Sequence, residues 1–566
     1  MLTAIITYNG NETAFLATAK LFYKQKISPA APRKVSDLPQ LIVLDKTGEA
    51  HSHVNTAAFL KKHAHLYLDA SRINLAQASN IAVSRATGLF SVFLNSGDIF
   101  STSALELMFN YLNKNSEEFL FTCPNVSYYS INQKKYTPHF PPATPVAIDL
   151  ETHPALVPVV FHGILLKTST LQENAFDESL PHDYGLHLIC RLLQRQPKFA
   201  WIKKATFKAS DSLEAPDTAS HSAMDKEWYW KNAADFLLQL MQSNLRTDLL
   251  ASRGVPVYLQ YLASYQLKGR FRLNANNATK HVIDDEVDDY FRLCKQILQH
   301  IEPDVLLTAN KTFALPQDLK DLFFRLKYDQ RESCKDDGAG YAPNYFTYGD
   351  QSYLEQDGAL VYKISGINLL LELLEFDAQH LIVEGSLDNY ADFSRCKLNA
   401  FLDETPIPVE ETYRYAHTKY FGKSVHKRYT FRLKIPKDSF GKSLKLVSFE
   451  VALPTGQRIV PPIITKRYTS KLSSAFPGSY WNADGYLLRF KNNKKAIKVV
   501  KATLFNSLKA EFRHMKGMLR WKHKSIEMFK LRCLYWLTRP YFKNKRIWLT
   551  YDKLYKGGDC GEYFYK

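Results

Sequence analysis

Short apolar runs alternate with helical patterns across residues 1–210, and this alternation constrains the fold more than any other feature of the chain. The runs "LTAIITY", "LIVLD", "HLYLDA" and "FSVFLNSGD" have the length and composition of buried strands, and "NLAQASNIAVSRAT" has helical spacing. Strands that alternate with helices are typical of a parallel sheet. We therefore predict an α/β domain over residues 1–225.

Polar residues stand where several of these strands end. Asn9 follows the first strand, Asp45 ends the second, and "NSGD" (95–98) closes the last. The carboxyl ends of parallel strands meet at one edge of a sheet, where ligands bind. On composition alone "NSGD" fits an ordinary turn. Its position beside other polar strand ends favours a ligand site instead.

The rest of the chain changes character twice. Residues 226–350 are mainly helical in pattern, and residues 351–490 change to period-two strands with many β-branched and aromatic residues. Short strands at this spacing predict a small β-sandwich-like domain. The predicted fold class is therefore α/β for the first domain, followed by a helical region, a β-sandwich and a basic helical segment over residues 491–545.

Composition and the N-terminal sequence indicate where in the cell the protein is expected. No apolar run reaches the roughly 20 residues of a membrane span. The N-terminus "MLTAIITYNGNE" reads as a core strand and not as a signal peptide, because no basic segment precedes its apolar run. Seven cysteines are scattered without a C-x-x-C pair, which argues against a zinc site and a secreted disulfide scaffold. We expect a cytoplasmic protein with reduced thiols.

Positive charge is concentrated in one segment. Residues 491–546 contain 17 Lys or Arg and two acids, a net +15 out of +18 for the chain. Cations interleaved with aromatics are typical of helices that lie on an anionic membrane. The residues predicted to bind the membrane are Trp521, Lys522, Lys524, Phe529, Lys530, Arg532 and Trp536. Packing on another domain fits the same pattern, and nucleic acid fits least because no nucleic-acid motif accompanies the charge.

Four motifs in order carry a family resemblance: "AIITYN", "IVLD", "NLAQASNIAVSRATGLFSVFLNSGD" and "FDESLPHDYGLHLICRLL". The first 200 residues or so resemble a family 2 glycosyltransferase, whose fold is GT-A. The resemblance implies a nucleotide-sugar donor, of UDP type, and transfer of a hexosyl or N-acetylhexosaminyl group to an acceptor hydroxyl with inversion. It also implies a divalent cation, Mn²⁺ or Mg²⁺, because charge builds on the departing diphosphate.

The resemblance assigns residues to the donor site. Thr7, Tyr8 and Asn9 correspond to the lining of the nucleotide pocket. Asp45 corresponds to the uridine-binding aspartate, and Asn95 would contact the nucleotide as well.

The metal motif of the family is reduced in this chain. Asn95 and Gly97 stand where the family has the two aspartates of its D-x-D motif, and Asp98 is the carboxylate that is left. The implied metal ligands are Asp98 and Asn95. One carboxylate holds a hard cation more weakly than two or three, and a Gly97→Asp change is expected to strengthen the site.

A second set of residues corresponds to the acceptor side. Asp183 matches the aspartate that serves the family as general base, and His182 replaces the glutamate before it. A base is needed because a hydroxyl is a poor nucleophile while it keeps its proton. Asp183 also fits a plain helix cap. Asp177 and Glu178 match a structural or acceptor-side element, and His162 fits either the acceptor site or the core.

The last residues carry a further resemblance. "RIWLTYDKLYKGGDCGEYFYK" (546–566) resembles the start of the CDP-glycerol glycerophosphotransferase domain of teichoic acid polymerases. This implies a longer bifunctional protein, peripheral on the inner face of the cell membrane, that glycosylates a lipid-linked polyol-phosphate or glycan of cell-wall or capsule type. Two alternatives stay open: a catalytically reduced pseudo-transferase that serves as an assembly module, and a scaffold that oligomerises through the β-sandwich.

Overall fold

The computed structural model describes the chain in segments with gaps between them. The described residues are 2–25, 39–129, 135–136, 146–210, 225–243, 254–275, 283, 286–328, 344–348, 351–356, 359–363, 367–388, 397–412, 417–427, 429–441, 443–452, 456, 458–465, 471–474, 476, 478–491, 493, 495–520 and 525–542. Trp521, Lys522 and Lys524 lie outside these residues, and so does the predicted glycerophosphotransferase-like segment 546–566.

The chain divides into two compact units. The first consists of Met1–Asn344, Tyr353–Tyr362 and Ala416–Lys427, and the remaining residues make up the second. The predicted α/β domain and the predicted helical region thus belong to the same unit. The sandwich strands and the basic segment fall mainly in the second.

Ten strands of the described chain form the sheet of the first unit. They are β1 (Leu2–Tyr8), β2 (Gln40–Asp45), β3 (Leu66–Asp69), β4 (Phe90–Asn95), β5 (Ile99–Phe100), β6 (Phe121–Tyr129), β7 (Lys135–Tyr136), β8 (Ala147–Asp149), β9 (Leu165–Lys167) and β10 (Lys198–Ala209). The main strand order is β3-β2-β1-β4-β9-β6-β10-β5, with β7 beside β6 and β8 beside β10. The first four strands pair in parallel, so the predicted parallel α/β fold is confirmed.

Six helices connect these strands. They are α1 (Glu12–Tyr23), α2 (Val54–His63), α3 (Leu75–Ser84), α4 (Ala104–Lys114), α5 (Thr168–Glu173) and α6 (Tyr184–Arg195). Asn11 and Asn74 cap α1 and α3 through their side-chain oxygens, which accept backbone N–H groups of the first turn. Every residue of β1 is buried, because the helices cover the central strands.

The helical region of the first unit has a π-helical segment near its start. Its helices are α7 (Lys226–Tyr229), α8 (Gln239–Ser243), α9 (Val257–Leu273), α10 (Val287–Gln299), α11 (Pro303–Leu306) and α12 (Gln317–Tyr328), and the π-helix Asn232–Leu238 stands between α7 and α8. The Tyr258 hydroxyl of α9 donates to the Leu193 carbonyl of α6 at 3.3 Å. The helical region therefore packs directly on the α/β layer.

Strands dominate the described residues after 340. They are β11 (Asn344–Tyr348), β12 (Gln351–Gln356), β13 (Ala359–Lys363), β14 (Asn368–Phe376), β15 (His380–Asp388), β16 (Lys397–Leu402), β17 (Thr405–Ile407), β18 (Glu410–Glu411), β19 (His417–Tyr420), β20 (Lys423–Lys427), β21 (Thr430–Pro436), β22 (Lys445–Ala452), β23 (Arg458–Ile459), β24 (Ile463–Thr465), β25 (Tyr480–Ala483), β26 (Tyr486–Phe490) and β27 (Ala496–Lys501).

Two sheets among the described residues lie wholly within the second unit. Their strand orders are β18-β21-β15-β14-β24 and β17-β16-β22-β27-β26-β25. Phe431 of the first sheet meets Phe449 of the second with ring centroids 5.5 Å apart, and both side chains are buried. Two sheets that bury their facing side chains form a sandwich, so the predicted β-sandwich is confirmed.

Two helices follow the sandwich, α13 (Leu504–Leu519) and α14 (Ser525–Phe542). The buried carboxylate of Glu511 on α13 joins them. It accepts from Arg532 Nε and NH2 at 2.7 Å each and from Trp536 Nε1 at 2.7 Å, and Tyr480 of β25 bonds to it as well. The polar groups of Arg532 and Trp536 are thus used inside the unit, in the contact between α13 and α14. Membrane contact by these residues and packing on another domain both stay predictions.

We expect a Glu511→Gln variant to loosen α14 from α13. Burial alone would raise the pKa of Glu511, but the hydrogen bonds from Arg532, Tyr480 and Trp536 outweigh it and lower the pKa to about 2. Losing this charge should reduce the free energy of unfolding of the second unit by roughly 2–3 kcal/mol. The exposed Glu404 supplies the control, Glu404→Gln.

Denaturant unfolding and limited proteolysis after residue 519 would measure the effect. Because the folded pKa lies below the usual value, the contribution of Glu511 is fully present above about pH 4.5 and should fade as the pH falls toward 2. Equal stability and equal cleavage of the two variants at neutral pH would contradict the assignment.

Candidate active site

The strand register brings the predicted nucleotide residues together. Tyr8 pairs with Asp45 across β1 and β2, and Thr7 pairs with Asn95 across β1 and β4. These four residues lie at the carboxyl edge of the parallel part of the sheet, and Asn9 follows as an exposed residue. The sequence prediction that these strand ends meet is confirmed.

Asp45 is fully buried and organises the loop that follows β2. Its Oδ1 accepts from the Thr47 N–H at 2.9 Å, the Thr47 hydroxyl at 2.8 Å and the Gly48 N–H at 3.0 Å. Its Oδ2 accepts from the Ala50 N–H at 2.8 Å and the Tyr67 hydroxyl at 2.7 Å. Burial would raise the pKa of Asp45, but these bonds hold it below its usual value. Direct base binding by Asp45 stays a prediction.

Tyr8 carries a polar atom that needs a partner. Its side chain is fully buried, and its hydroxyl has no hydrogen-bond partner within the described segments. Phe15 packs edge-on against the ring at 5.4 Å between centroids. Buried hydroxyls are normally satisfied, so this atom at the predicted nucleotide pocket is available to a ligand or to water.

The buried carboxylate of Asp98 accepts hydrogen bonds from two backbone N–H groups. Its Oδ2 accepts from the Asn95 N–H and its Oδ1 from the Ser210 N–H, both at 2.7 Å. Burial raises the pKa of Asp98 to about 6, against the effect of these two bonds. Asp98 therefore ties the loop after β4 to the end of β10.

The described residues do not fit the metal implied by the family motif. Each Asp98 oxygen already accepts one backbone N–H, Gly97 has no side chain, and no group of three or more His, Cys, Asp or Glu in the described chain is placed to hold a metal ion. Gly97 also has a φ of +98°, and a Cβ there would lie 3.0 Å from Ser210 Cβ. This strain argues against the expectation that Gly97→Asp strengthens the site. The metal assignment of Asp98 and Asn95 stays a prediction.

His162 links the donor edge to the acceptor side. Its Nδ1 lies 3.4 Å from Asn95 Nδ2. Burial lowers the pKa of His162 to about 4, and the charge of nearby Asp183 acts in the opposite direction. His162 is therefore neutral near pH 7. The structure places it among the candidate site residues and not in the core alone.

Asp183 stands at the N-terminus of α6 in an unusual conformation. Its φ is +53°, and its side chain makes no capping bond to the helix. Instead Oδ2 accepts from Trp228 Nε1 at 3.0 Å and lies 3.4 Å from Asn232 Nδ2 and 3.6 Å from NH2 of Arg270. Left-handed backbone at a residue other than glycine is strained and clusters at functional sites. The capping alternative is therefore wrong for the Asp183 side chain.

Arg270 is completely buried beneath Asp183. Its guanidinium lies 4.2 Å from the centroid of the Trp228 ring and donates to the Trp228 carbonyl and to Gln266. Asp183 is the acid that faces it, with 26% of its side chain exposed. Asp183 therefore lies against a buried cation, while about a quarter of its side chain stays exposed.

His182 points to a different partner. Its Nε2 lies 2.7 Å from Asp225 Oδ2, and its carbonyl accepts from Asn232 Nδ2 at 2.6 Å. Burial would raise the pKa of Asp225, but the bond from His182 and the N–H of Glu227 outweigh it, and Lys46 adds to the lowering. The catalytic assignment of His182 stays a prediction, and its ring is engaged in holding the start of α7.

Glu178 attaches its loop to α3, and Asp177 braces the loop internally. Asn80 donates to the Glu178 carboxylate at 2.8 Å and to the Phe176 carbonyl at 3.1 Å, and Asn74 donates to the Glu178 carbonyl at 2.7 Å. Asp177 accepts from Ser179. These bonds fix the loop that leads into α6, in agreement with the structural alternative.

Sequence reasoning missed the residues that surround Asp183. Trp228 and Asn232 lie beyond the predicted end of the first domain at residue 225, and Arg270 lies in α9, which is buried over most of its length. A charged residue within a helix buried all round was the available signal. Only the tertiary structure shows which carboxylate Arg270 faces.

Comparisons with known proteins add one relative and several distant structures. No protein-family model matches the chain. It is 21% identical over 552 residues to the minor teichoic acid biosynthesis protein GgaB of Bacillus subtilis (strain 168), an alignment that covers 93% of this chain and 57% of GgaB. The chain thus spans little more than half the length of this relative.

Among solved structures, S. aureus TarS matches 89% of this chain and 86% of its own at 12% identity, with a TM-score of 0.44. The mannosyltransferase PcManGT from Pyrobaculum calidifontis, solved with GDP-Man and Mn²⁺, matches 48% of this chain and 73% of its own at 17% identity, with a TM-score of 0.30. Both likenesses are distant. Separately, no helix of the described residues is long and apolar enough to span a membrane.

Asp98 should leave a signature in the pH dependence of stability. Its folded pKa of about 6 lies above the usual 3.8, so its contribution is greatest below about pH 4 and declines as the pH rises through 6. We expect the stability difference between wild type and Asp98→Asn to fall by about 2–3 kcal/mol from pH 4 to pH 7. Denaturant unfolding at both values measures it, and a difference independent of pH would show that Asp98 is not buried as described.

Proposed function

We propose that this protein is a glycosyltransferase of the GT-A type that moves a sugar from a nucleotide-sugar donor, of UDP type, to a hydroxyl of a teichoic-acid-like polymer. The observation that carries the proposal is the convergence of two groups of residues. Asn95 at the donor edge lies close to His162, and the nearby charge of Asp183 acts on the pKa of His162. The likeness to a teichoic acid biosynthesis protein over 93% of the chain supports the choice of polymer.

Asp183 is the residue we assign as general base. The acceptor hydroxyl passes its proton to Asp183 while its oxygen attacks the anomeric carbon of the donor. The bond from that carbon to the diphosphate breaks as the new carbon–oxygen bond forms, so the nucleoside diphosphate leaves with the electron pair and the configuration inverts. Trp228 and Arg270 hold the base in place, and a side chain about one quarter exposed can reach an incoming hydroxyl.

The donor is assigned to the edge formed by Thr7, Tyr8, Asn9 and Asn95, next to the loop that Asp45 shapes. The Tyr8 hydroxyl supplies an unpaired polar group there. We route no step through a metal ion, because the described residues around Asp98 do not offer free carboxylates. This feature also favours a second candidate function, a pseudo-transferase that binds the donor without transferring the sugar.

Asp183→Asn is the test of the proposed chemistry. Asparagine tolerates the left-handed backbone at this position and keeps the shape of the side chain, but it cannot take a proton. Transfer or donor hydrolysis should fall by about two to four orders of magnitude, the usual contribution of acid–base help. Calorimetry with UDP-sugars, with and without EDTA, should show donor binding unchanged.

Asp149→Asn is the matched control, because Asp149 pairs with Lys198 at the start of β10, the opposite end of that strand from the site. It should retain full activity. If Asp183→Asn is as active as wild type, Asp183 is not the general base. A wild type that binds the donor but neither transfers nor hydrolyses it would establish the pseudo-transferase instead.

We further propose that the second unit holds the protein on the cytoplasmic face of an anionic membrane. The surface that supports this is α13 and not the Arg532 and Trp536 pair. Phe505 and Phe512 of α13 are each 71% exposed, and Leu508 and Leu519 share their face of the helix by spacing. Large exposed apolar patches mark interaction sites, and nearby lysines suit anionic headgroups.

Vesicle sedimentation tests the membrane proposal. Phosphatidylglycerol vesicles should bind the protein at low salt and lose it at high salt, because screening shortens the Debye length below about 8 Å. Phe505→Ser with Phe512→Ser should weaken binding by about tenfold or more. The control replaces two exposed apolar residues of the sandwich, Leu444→Ser with Val460→Ser, and equal binding of both double variants would contradict the role of α13.

A further inference from the structure

Four cations lie close together on the outer face of the second sandwich sheet. Arg489 of β26 stands directly opposite Lys498 of β27 in the antiparallel register. Their neighbours Leu488 and Val499 are fully buried, so by alternation Arg489 and Lys498 point away from the core. Lys491 follows two residues after Arg489, and Arg513 approaches from α13. We call these four residues the basic cluster.

Like charges face each other in the basic cluster. Burial together with the charges of Arg489, Lys491 and Arg513 lowers the pKa of Lys498, and burial together with Arg513 lowers the pKa of Arg489. Like charges at directly opposite positions of a sheet destabilise it. A fold that retains such a pair carries a cost in stability that an anionic ligand would remove.

No acid within the described residues neutralises the basic cluster. None of its members forms an ion pair there, in contrast to Lys445, which pairs with Asp403 at 3.0 Å. Leu446 is the β22 partner of Lys498. The acid on the same face of β22, Glu450, lies four residues further along and faces Arg458 at 3.6 Å.

The position of α13 brings the last cation to the sheet. Gly478 lies so close to the backbone of α13 that a Cβ would meet the Arg513 carbonyl oxygen at 2.7 Å. This contact fixes the turn that carries Arg513 beside β26 and β27. Arg489 and Lys498 are half-buried, whereas Lys491 and Arg513 are exposed, so the cluster combines two cations held on the sheet with two that are open to solvent.

We propose that the basic cluster binds the phosphodiester groups of an anionic polyol-phosphate chain. Guanidinium and ammonium groups suit phosphate oxygens. Arg489 and Lys491 stand two residues apart along the chain, about 6.6 Å in an extended segment, which permits contact with successive phosphates. The choice of a polyol-phosphate rests on the proposed function, whereas the affinity for phosphodiesters rests on the cluster alone.

A soluble chain fits the basic cluster better than a bilayer surface. Successive residues of a helix are separated by about 100°, so Arg513 points well away from Phe512, its neighbour in sequence. The exposed apolar face of α13 and the basic cluster are therefore separate surfaces. A membrane that contacts the first leaves the second accessible to a polymer.

The test measures binding and stability in the full chain. The probe is synthetic oligo(glycerol phosphate), with neutral dextran as the blank. Arg489→Gln with Lys498→Gln should weaken binding about tenfold and, without the probe, should raise the unfolding temperature of the second unit by about 1–3 °C. A gain in stability together with a loss of binding is a result that a structural role for these residues does not produce.

The control removes the same charge from paired lysines, Lys434→Gln with Lys445→Gln, and should bind the probe as wild type does. The proposal fails if wild type does not bind the probe, or if both double variants bind it equally weakly. It also fails if the cluster variant still binds the probe and loses only its binding to phosphatidylglycerol vesicles. Donor hydrolysis by the same samples reports separately on the proposed function, so the two failures are distinguishable.

Discussion

The buried guanidinium of Arg270 is the constraint around which the candidate site is arranged. A charge without solvent requires a partner and hydrogen bonds. The chain meets this requirement with the Trp228 ring and carbonyl, the Gln266 side chain and the Asp183 carboxylate. Asp183 is thereby drawn away from its own helix and held at a strained backbone angle. The helical region therefore contributes to the surroundings of Asp183.

The loop after β4 shows how the same residue type can serve two purposes. In a motif with two or three aspartates, one carboxylate can tether the loop while the others face the ligand. Here Asp98 alone remains, and its two oxygens tie the Asn95 and Ser210 backbones together. The tether fixes the shape of this sheet edge, and the transfer chemistry that we propose is therefore assigned to Asp183.

The basic segment and its surroundings in the second unit form three distinct features. The Arg532 guanidinium donates to the Glu511 carboxylate, and this contact joins α14 to α13. The other face of α13 is apolar and exposed, and the basic cluster on the sheet beside it lacks an acid partner within the described chain. The second unit thus has, at separate places, an ion pair that joins two helices, an exposed apolar face of α13 and a cluster of cations for which we propose phosphate binding.

Local pattern determined the elements themselves. The strands β1, β2 and β4, the capped helices α1 and α3, and the switch to a sandwich all follow from periodicity and turn residues, which act over a few neighbours in the chain. The meeting of Tyr8, Asp45 and Asn95 at one sheet edge also follows, because parallel strands share their direction.

Tertiary structure decided what each polar residue does. The sequence alone marks Asp98 and Asp183 as two carboxylates at loop ends. Contacts with Ser210, 112 positions later, make the first a buried tether, and contacts with Trp228 and Arg270 in another layer hold the second at the start of α6. Such partners are far apart in the chain, and the identity of a hydrogen-bond partner depends on packing distance, which no local pattern contains.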